Sequence, residues 1–210
     1  MPNKIIIVRH GETQYNLDRR LQGWTDVPLN KTGKEQAKKV AKRLRNEQIT
    51  AIYTSDHKRA YATAYYIARK HGINPHKTKN LREDRMGVFE GWQWEKESDP
   101  LKQKLWEERL NARLIGDIHW KPDGGESLHE HSLRVKKSLD RIIKKHRNET
   151  IVIVSHGGTI NRIMEIYGFK KNTDEYIRFQ NTAVTILSKT KAGYHLEMLN
   201  DISHIYNALD

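Results

Sequence analysis

The chain has 210 residues and no cysteine, and its 38 lysines and arginines outnumber its 26 aspartates and glutamates, which gives a formal charge of +12. This length suits one α/β domain, and the absence of cysteine excludes a disulfide framework, a thiol nucleophile and a cysteine metal site. We expect a soluble, cytoplasmic protein, because the sequence shows neither a secretory leader nor an apolar segment long enough to span a membrane.

The positive charge invites a nucleic-acid interpretation, but much of it falls on the polar faces of two amphipathic helices. These residues form two sets, Lys34, Lys38, Lys39, Lys42, Arg43 and Arg45, and then Arg134, Lys136, Lys137, Arg141, Lys144 and Lys145. Since no nucleic-acid motif accompanies them, we predict solvated helix faces and no specific nucleic-acid partner. A positive field would also steer anionic substrates such as phosphate esters.

The first predicted strand is the apolar run from Ile5 to Val8, which stops at Arg9 and His10. A continuous run of β-branched residues is typical of a parallel strand buried on both faces, so the charged pair lies at its carboxyl end. In open α/β sheets the loops leaving that end form the crevice where ligands bind. The polar segment from Glu12 to Arg20 follows and carries Asn16 close to the strand end.

A helix, a second strand and another helix come next. The pattern 32–35, Thr-Gly-Lys-Glu, predicts a capping box for the first helix, and the strand 51–54 leads to Ser55-Asp56, which we expect to cap the second. The second helix should end at Gly72. Arg59 falls in its first turn, where the helix dipole disfavours a cation, so we predict an anion bound at the start of this helix.

Beyond Glu83, an insertion at about 84–126 interrupts the alternation of strands and helices. It contains a predicted helix starting at Pro100, a turn at 122–125 and four tryptophans. These are Trp92, Trp94, Trp106 and Trp120. We predict that the insertion is a lid folded over the sheet edge, and that its tryptophans pack a small core of their own rather than line a substrate pocket.

The C-terminal part repeats the pattern of strand and histidine. A helix opened by the capping box 127–130 leads to the apolar run 151–154, which is followed shortly by His156 and Gly157. A further helix begins there, and a hairpin across 191–193 then gives antiparallel edge strands.

Two buried strands should therefore bring His10 and His156 to the same edge of one sheet. The predicted fold class is α/β, a three-layer α/β/α sandwich with a mostly parallel central sheet, an antiparallel edge and the lid insertion. We interpret residues 1–210 as a single domain.

If His10, His156, Arg9, Arg59 and Glu83 share one pocket, the set favours phosphoryl transfer. A neutral imidazole is a competent nucleophile, and surrounding arginines keep it unprotonated while they neutralise a transferring phosphoryl group. Arginine also donates two hydrogen bonds to phosphate in a geometry that lysine does not match. A nearby carboxylic acid can protonate the departing alkoxide and then deprotonate the hydrolytic water.

The chemical alternative is a metal site, because two histidines and a glutamate are a known zinc ligand set. Two arginines in the same pocket would repel a dication, so we predict no metal and no cofactor. The other histidines, among them His57, His129 and His204, have no comparable context in the sequence, and we assign them to the surface, to helix caps or to the core.

The motif Arg9-His10-Gly11-Glu12-Thr13 resembles the signature of the histidine phosphatase superfamily, also called the phosphoglycerate mutase-like family. Further matches follow in order over nearly the whole chain. They are 54–60 (TSDHKRA), 81–83 (LRE) with 87–91 (GVFEG), 124–127 (GGES) and 155–158 (SHGG). The resemblance implies a three-layer α/β/α fold and no metal requirement.

The same resemblance implies a role for each matching residue. His10 would be the phosphorylated nucleophile and Glu83 the proton donor. The phosphoryl group would be held by Arg9, Asn16, Arg59, His156 and Gly157.

Within this superfamily the resemblance favours a phosphatase acting on a small phosphorylated substrate, because the insertion is compact and rich in tryptophan. The cofactor-dependent phosphoglycerate mutases usually carry a longer insertion with more basic residues, and they remain an alternative. A non-catalytic relative that binds phosphorylated ligands is a third. We expect no membrane association, and a monomer or a homodimer.

Overall fold

A mixed sheet of six strands forms the centre of the fold. The computed structural model describes residues 1–93, 96, 99–171 and 175–206. The strands are β1 (Lys4–Arg9), β2 (Ile49–Ser55), β3 (His76–Thr78), β4 (Thr150–Ser155), β5 (Val184–Thr190) and β6 (Gly193–Asp201). Their order across the sheet is β3-β2-β4-β1-β5-β6. The first four are parallel to one another, β5 is antiparallel to β1, and β6 is antiparallel to β5, which confirms the predicted mostly parallel sheet with an antiparallel edge.

Helices cover both faces of this sheet. They are α1 (Gln14–Leu17), α2 (Lys31–Arg43), α3 (Lys58–His71), α4 (Pro100–Leu114), α5 (Leu128–Lys145), α6 (Gly157–Ile166) and α7 (Ser203–Tyr206), with 3-10 turns at Lys79–Leu81 and Gly87–Phe89. Among the described helices, none is both long and apolar enough to cross a membrane.

Alternating residues of the central strands point into two separate cores. Ile6 and Val8 pack with α2 and α3 on one face, whereas Ile5 and Ile7 pack with α5 and α6 on the other. Because successive side chains of a strand point to opposite faces, a strand covered on both sides has to be apolar throughout. These two cores are the physical basis of the three-layer sandwich, and they confirm the predicted fold class.

The register of β1 against β4 positions the two histidines. The strands are direct parallel neighbours, and Arg9 pairs with Ser155 at their carboxyl ends. His10 and His156 are each the next residue, so both leave the sheet at the same edge. This confirms that the two apolar runs converge.

Two predicted helix starts are wrong, because side chains from elsewhere supply the caps. The N-cap of α2 is Asn30, whose Oδ1 accepts from the amide of Gly33, and not the Thr32 pattern. The N-cap of α3 is His57, which makes no side-chain cap. Asp26 replaces the expected Ser55-Asp56 cap, since its Oδ1 accepts from the amide of Lys58 at 2.7 Å. This contact accounts for the amide of Lys58 only, so the anion predicted beside Arg59 stays a prediction.

The insertion contains the predicted helix, α4, whose N-cap is Asp99. Trp92 is buried with Met86 and Phe89, and Trp106 and Trp120 pack against this group. The prediction that the tryptophans form a small core of their own is confirmed for these three. Trp94 lies outside the described residues.

Most of the basic residues on α2 and α5 are exposed, but two of them are not on solvated faces. Arg43 pairs with Asp201 and donates to Nδ1 of His204, so it holds the C-terminal segment. Arg134 is only 15% exposed and forms an ion pair with Glu126. Both residues have structural roles that their helical spacing did not indicate.

Candidate active site

The two histidines that follow β1 and β4 lie side by side at the sheet edge. The ring centroids of His10 and His156 are 5.1 Å apart, and both side chains are almost fully buried. Burial in a low-dielectric site disfavours the charged imidazolium, and the nearby positive charge of Arg59 adds to this effect. The pKa of each imidazole is accordingly lowered well below its usual value, so both rings are neutral at neutral pH.

His10 presents a lone pair to the pocket. Its Nδ1 lies 2.7 Å from the carbonyl oxygen of Gly11. A carbonyl only accepts, so Nδ1 carries the ring proton, and Nε2 of the neutral ring is unprotonated. An imidazole held in this way is the form that can attack phosphorus.

His156 has the opposite tautomer. The Nε–H group of Arg59 donates to its Nδ1 at 3.2 Å, so the ring proton resides on Nε2. That Nε2 is buried and has no hydrogen-bond partner. A buried donor without a partner is costly, and a phosphoryl oxygen bound between the two rings would accept from it. One histidine is therefore arranged to attack and the other to donate.

Arg59, from the first turn of α3, is fully buried. Its Nη1 and Nη2 donate to the carbonyl oxygens of Thr25 and Gly23, both at 2.8 Å. Burial lowers its pKa to about 10, so the guanidinium remains charged at neutral pH. Three of its N–H groups are used within the protein, and the remaining two of a guanidinium's five can face an anion.

Arg9 is the second cation of the site, and it is half-buried. Its Nη1 donates to the carbonyl oxygen of Phe179 at 2.5 Å, and its Nε is buried without a partner. Burial lowers its pKa as well, because desolvation penalises the charge. A guanidinium with an unused donor is a suitable ligand for a phosphate oxygen.

Glu83 reaches the start of α6 from the segment after Leu81. Its carboxylate accepts from the amides of Gly158 and Thr159, each at 3.1 Å. Glycine at position 158 leaves room for this approach, because a Cβ atom there would lie 2.5 Å from Oε1 of Glu83 and the carboxyl group would have to shift. The carboxylate thus binds at a helix N-terminus, two residues beyond His156.

Two further residues of the predicted set also lie at this edge. Asn16 is the third residue of the short α1, and its Oδ1 accepts from Thr13 and from Nδ2 of Asn181, which leaves its amino group to donate elsewhere. Gly157 is the first residue of α6. A Cβ atom on Gly157 would lie 3.4 Å from the hydroxyl of Tyr176 and 3.8 Å from Nε of Arg9, so its backbone borders the same pocket.

Several residues around the pocket were not predicted from the sequence. His57 was assigned a surface, capping or core role, but its ring centroid lies 5.5 Å from that of His156. Its Nδ1 is buried without a partner, and burial lowers its pKa to about 4. The motif 54–60 already contained His57, so its position one residue before α3 was the available signal.

Trp24 connects the loop that holds Arg59 with the segment that carries Glu83. Its indole N–H donates to the carbonyl oxygen of Glu83 at 2.8 Å. The guanidinium groups of Arg82, Arg85 and Arg134 lie over its ring, at 4.7, 5.3 and 5.9 Å from the centroid. No signal in the sequence linked this tryptophan to those arginines.

The zinc alternative of two histidines and Glu83 finds no support in the geometry. Among the described residues, the group whose ligand atoms lie within 4.8 Å of one another is instead Asp84, Glu126 and His131. Asp84 forms an ion pair with Arg109, and Glu126 forms one with Arg134. Both carboxylates are therefore already neutralised by guanidinium groups.

The fold and the site together define an α/β protein with a pair of buried histidines at the carboxyl edge of its parallel strands. The site offers an unprotonated imidazole nitrogen, an imidazole donor and two guanidinium groups, with a carboxylate close by. These groups suit a tetrahedral phosphoryl group and its transfer.

A model of the histidine phosphatase superfamily (branch 1) matches residues 5–202, and the chain belongs to this family. The phosphoglycerate mutase-like protein 4 of Arabidopsis thaliana is 36% identical over 205 residues, which covers 96% of this chain and 86% of that protein. The metal-independent phosphoserine phosphatase of Arabidopsis thaliana is 31% identical over 205 residues, covering 96% and 83% of the two chains.

A solved structure agrees with these relationships. The mycobacterial glucosyl-3-phosphoglycerate phosphatase, in complex with VO3, superimposes with a TM-score of 0.81 at 25% sequence identity. The match covers 95% of this chain and 100% of that structure. Relatives named as phosphatases and as mutase-like proteins therefore share this fold over almost the whole chain.

Proposed function

We propose that this protein is a phosphatase that hydrolyses phosphate monoesters of small metabolites through a phosphohistidine intermediate on His10. The observation that carries the proposal is the pair of complementary tautomers. His10 is held with Nε2 unprotonated, and His156 is held with its proton on Nε2. A phosphoryl group between them meets a nucleophile on one side and a hydrogen-bond donor on the other.

In the first half of the reaction, Nε2 of His10 attacks phosphorus and the bond to the ester oxygen breaks. The electron pair leaves with that oxygen, which takes a proton from the carboxylic acid of Glu83. The products are the free alcohol, phosphohistidine and the Glu83 carboxylate. Arg9, Arg59, His156, Asn16 and the backbone at Gly157 stabilise the charge on the phosphoryl oxygens throughout.

In the second half, the Glu83 carboxylate removes a proton from a water molecule. The oxygen of that water attacks the phosphorus of the phosphohistidine. The bond from nitrogen to phosphorus breaks, and the imidazole recovers its lone pair. Inorganic phosphate leaves and Glu83 is again protonated, so the cycle closes without a metal or a cofactor. The amides of Gly158 and Thr159 stabilise the carboxylate form that this half-reaction uses.

We further propose that residues 1–210 form one domain in which the insertion at about 84–126 covers the pocket. In support, the guanidinium of Arg113 on α4 lies 4.9 Å over the ring of Tyr176, whose hydroxyl borders Gly157. Such a cover would exclude water during the first transfer. We also propose a cytoplasmic location, which the absence of cysteine favours, and a monomer or a homodimer.

The phosphoglycerate mutase alternative has a specific basis in the mutase-like relative. In a mutase the phosphoryl group on histidine returns to the substrate instead of passing to water. Both functions use the same pocket. They differ in the acceptor of the phosphoryl group, which is water in the phosphatase and the substrate in the mutase.

The decisive experiment is turnover of p-nitrophenyl phosphate by the purified protein in the presence of a chelator. We expect hydrolysis that the chelator leaves unchanged, and loss of turnover on chelation would indicate metal chemistry. If the protein isomerises 3-phosphoglycerate in the presence of a priming bisphosphate faster than it hydrolyses esters, its function is that of a mutase and not of a phosphatase. A panel of phosphorylated metabolites would then identify the preferred substrate.

A further inference from the structure

A second concave surface lies between α2 and α3, away from the histidine pocket. Its cavity volume is about 530 Å³, which lies within the usual range of small-molecule sites. Its lining residues are Lys38, Ala41, Lys42 and Arg45 from α2 and the turn after it, and Tyr66, Arg69 and Lys70 from α3. We call this surface the α2–α3 groove.

Five of the seven residues that line the groove are cations, and none of the seven is acidic. Lys38 forms an ion pair with the carboxylate of Glu35 at 2.7 Å, and Arg45 also interacts with another group. Ala41 is buried and Tyr66 is half-buried against the core, so these two residues form an apolar floor. The groove is therefore a concave surface with a cationic rim.

The helix dipole explains why each helix ends with basic residues, but it does not explain why the basic residues of both helices surround one cavity. Lysine and arginine in the last turn of a helix interact favourably with its dipole, and both α2 and α3 end with basic residues. Two helices could satisfy that preference while presenting their cations to separate regions of solvent. Placing both sets around one cavity adds like-charge repulsion, which an anion in the groove would relieve.

We propose that the α2–α3 groove binds an anion that carries several phosphate groups, the chemical class of an oligophosphate. Several cations around one small volume match a compact ligand with several negative charges. The apolar floor would contact the ligand without adding a competing negative charge. This site is separate from the proposed phosphatase function and does not depend on it.

A nucleic acid fits the charge distribution less well. Its usual footprint is a basic stripe or patch continuing along the surface. The other basic helix, α5, packs on the opposite face of the sheet from α2 and α3. The two basic faces are thus separated by the sheet, and the groove is a local feature.

The groove is also distinct from the catalytic pocket. Arg59 lies in the first turn of α3, whereas the groove begins at Tyr66 on the same helix and extends to Lys70. At 1.5 Å per residue, these positions lie about 10–16 Å from Arg59 along the helix axis. A ligand in the groove therefore contacts the end of α3 opposite to the end that carries the buried guanidinium.

The test is isothermal titration of the full chain with inorganic tripolyphosphate at low ionic strength. The groove variant combines Lys42→Gln, Arg69→Gln and Lys70→Gln. The control variant combines Lys137→Gln, Arg141→Gln and Lys144→Gln on the exposed face of α5, and it lowers the net charge by the same amount. Both variants are assayed with p-nitrophenyl phosphate and by circular dichroism to confirm an intact fold.

We expect tripolyphosphate to bind the wild-type chain, and the groove variant to bind it at least about tenfold more weakly, since each charge-assisted contact is strong. The control variant should change the affinity less than about twofold, because exposed distant charges are screened. Both should retain turnover.

Four outcomes would overturn the proposal. If the wild-type chain does not bind tripolyphosphate, the groove has no oligophosphate ligand. If both variants bind it more weakly to the same degree, the effect comes from the overall positive charge and not from the groove. Unchanged binding in the groove variant places the anion elsewhere, for example in the catalytic pocket. The fourth outcome is a single-stranded RNA that binds more tightly than tripolyphosphate and loses affinity in the groove variant. That result would assign the surface to nucleic acid instead.

Discussion

The Nε–H group of Arg59 donates to Nδ1 of His156 at 3.2 Å, and this contact fixes which nitrogen of the imidazole carries the proton. The same guanidinium holds the carbonyl oxygens of Gly23 and Thr25. Arg59 thus orients this imidazole and anchors a loop at once. A single substitution should therefore affect both activity and stability.

We predict that Arg59→Lys lowers kcat/KM by about 10²–10³-fold, as the loss of a donor to developing charge typically does. A lysine keeps the charge but cannot bond His156 and both carbonyl oxygens in the same planar arrangement. Each carbonyl oxygen left without a partner should cost about 1–3 kcal/mol of unfolding free energy. Steady-state kinetics and urea titrations measure the two effects. Arg69→Lys, on the exposed part of the same helix, is the matched control, and equal effects in the two variants would refute the assignment.

His10→Ala should abolish turnover while the fold remains intact, because no other group can form the phosphohistidine. Rapid quenching of the wild-type enzyme with ³²P-labelled ester should show an acid-labile, base-stable label on the protein, which the variant lacks. His129→Ala, at an exposed histidine, should keep both turnover and label. A label that survives in His10→Ala would assign the nucleophile to another residue.

Glu83→Gln should slow esters with leaving groups of high pKa more than p-nitrophenyl phosphate. A good leaving group departs without a proton, whereas an alkoxide depends on the acid. The measurement is kcat/KM across a series of esters, and a steeper dependence on leaving-group pKa supports the assignment. If all esters are slowed by the same factor, Glu83 is not the proton donor.

Gly158→Ala should reproduce much of the Glu83→Gln effect without changing any ionisable group. The new methyl group would lie 2.5 Å from Oε1 of Glu83, so the carboxyl group has to shift from its place at the start of α6. Because the two changes act on one group, the double variant should be little slower than Glu83→Gln alone. Additive effects on kcat/KM would show that Gly158 acts by another route.

The stability of the protein should fall as the pH is lowered. Five buried histidines have lowered pKa values, chiefly through desolvation by burial. They are His10, His57, His131, His156 and His204. Below an unfolded-state pKa of about 6.5, the unfolded chain binds protons that the folded chain resists, so the unfolding free energy decreases. For His57 and His204, whose folded pKa is about 4, the loss extends from about pH 6.5 to about pH 4.

Asp84 acts in the opposite direction, because burial raises its pKa to about 6, and burial also raises the pKa of Glu165, but these are two groups against five. The midpoint of urea unfolding, measured between about pH 6.5 and about pH 4, tests the prediction. The same midpoint at both pH values would contradict it. His204→Gln, outside the catalytic pocket, should make the pH dependence shallower.

The sheet could be predicted from the sequence because its central strands are apolar on both faces. Few folds other than a sheet covered by helices on both sides accommodate this pattern. The convergence of His10 and His156 followed from the same reasoning. The helix caps were harder to predict, since the amide of Lys58 binds Asp26, a residue brought close only by the tertiary fold. Local pattern could not show which of several polar residues would cap.

The supporting side chains of the site were missed for the same reason. Arg134 follows the polar spacing of α5, yet it donates to the carbonyl oxygens of Asn80, Arg82 and Glu83 and holds that segment in place. Helical periodicity distinguishes an inward face from an outward one, but it does not show that a loop will fold over the outward face. The stack of arginines on Trp24 depends on that same loop.

The direct pairing of β1 with β4 has one more consequence, which concerns tolerance to insertion and deletion. The relative placement of the two imidazoles depends on main-chain hydrogen bonds between adjacent strands, and not on the identity of the apolar side chains along them. Exchanging one branched residue for another should therefore leave the catalytic geometry nearly unchanged. Removal of a single residue from either strand would instead turn one ring toward the opposite layer of helices.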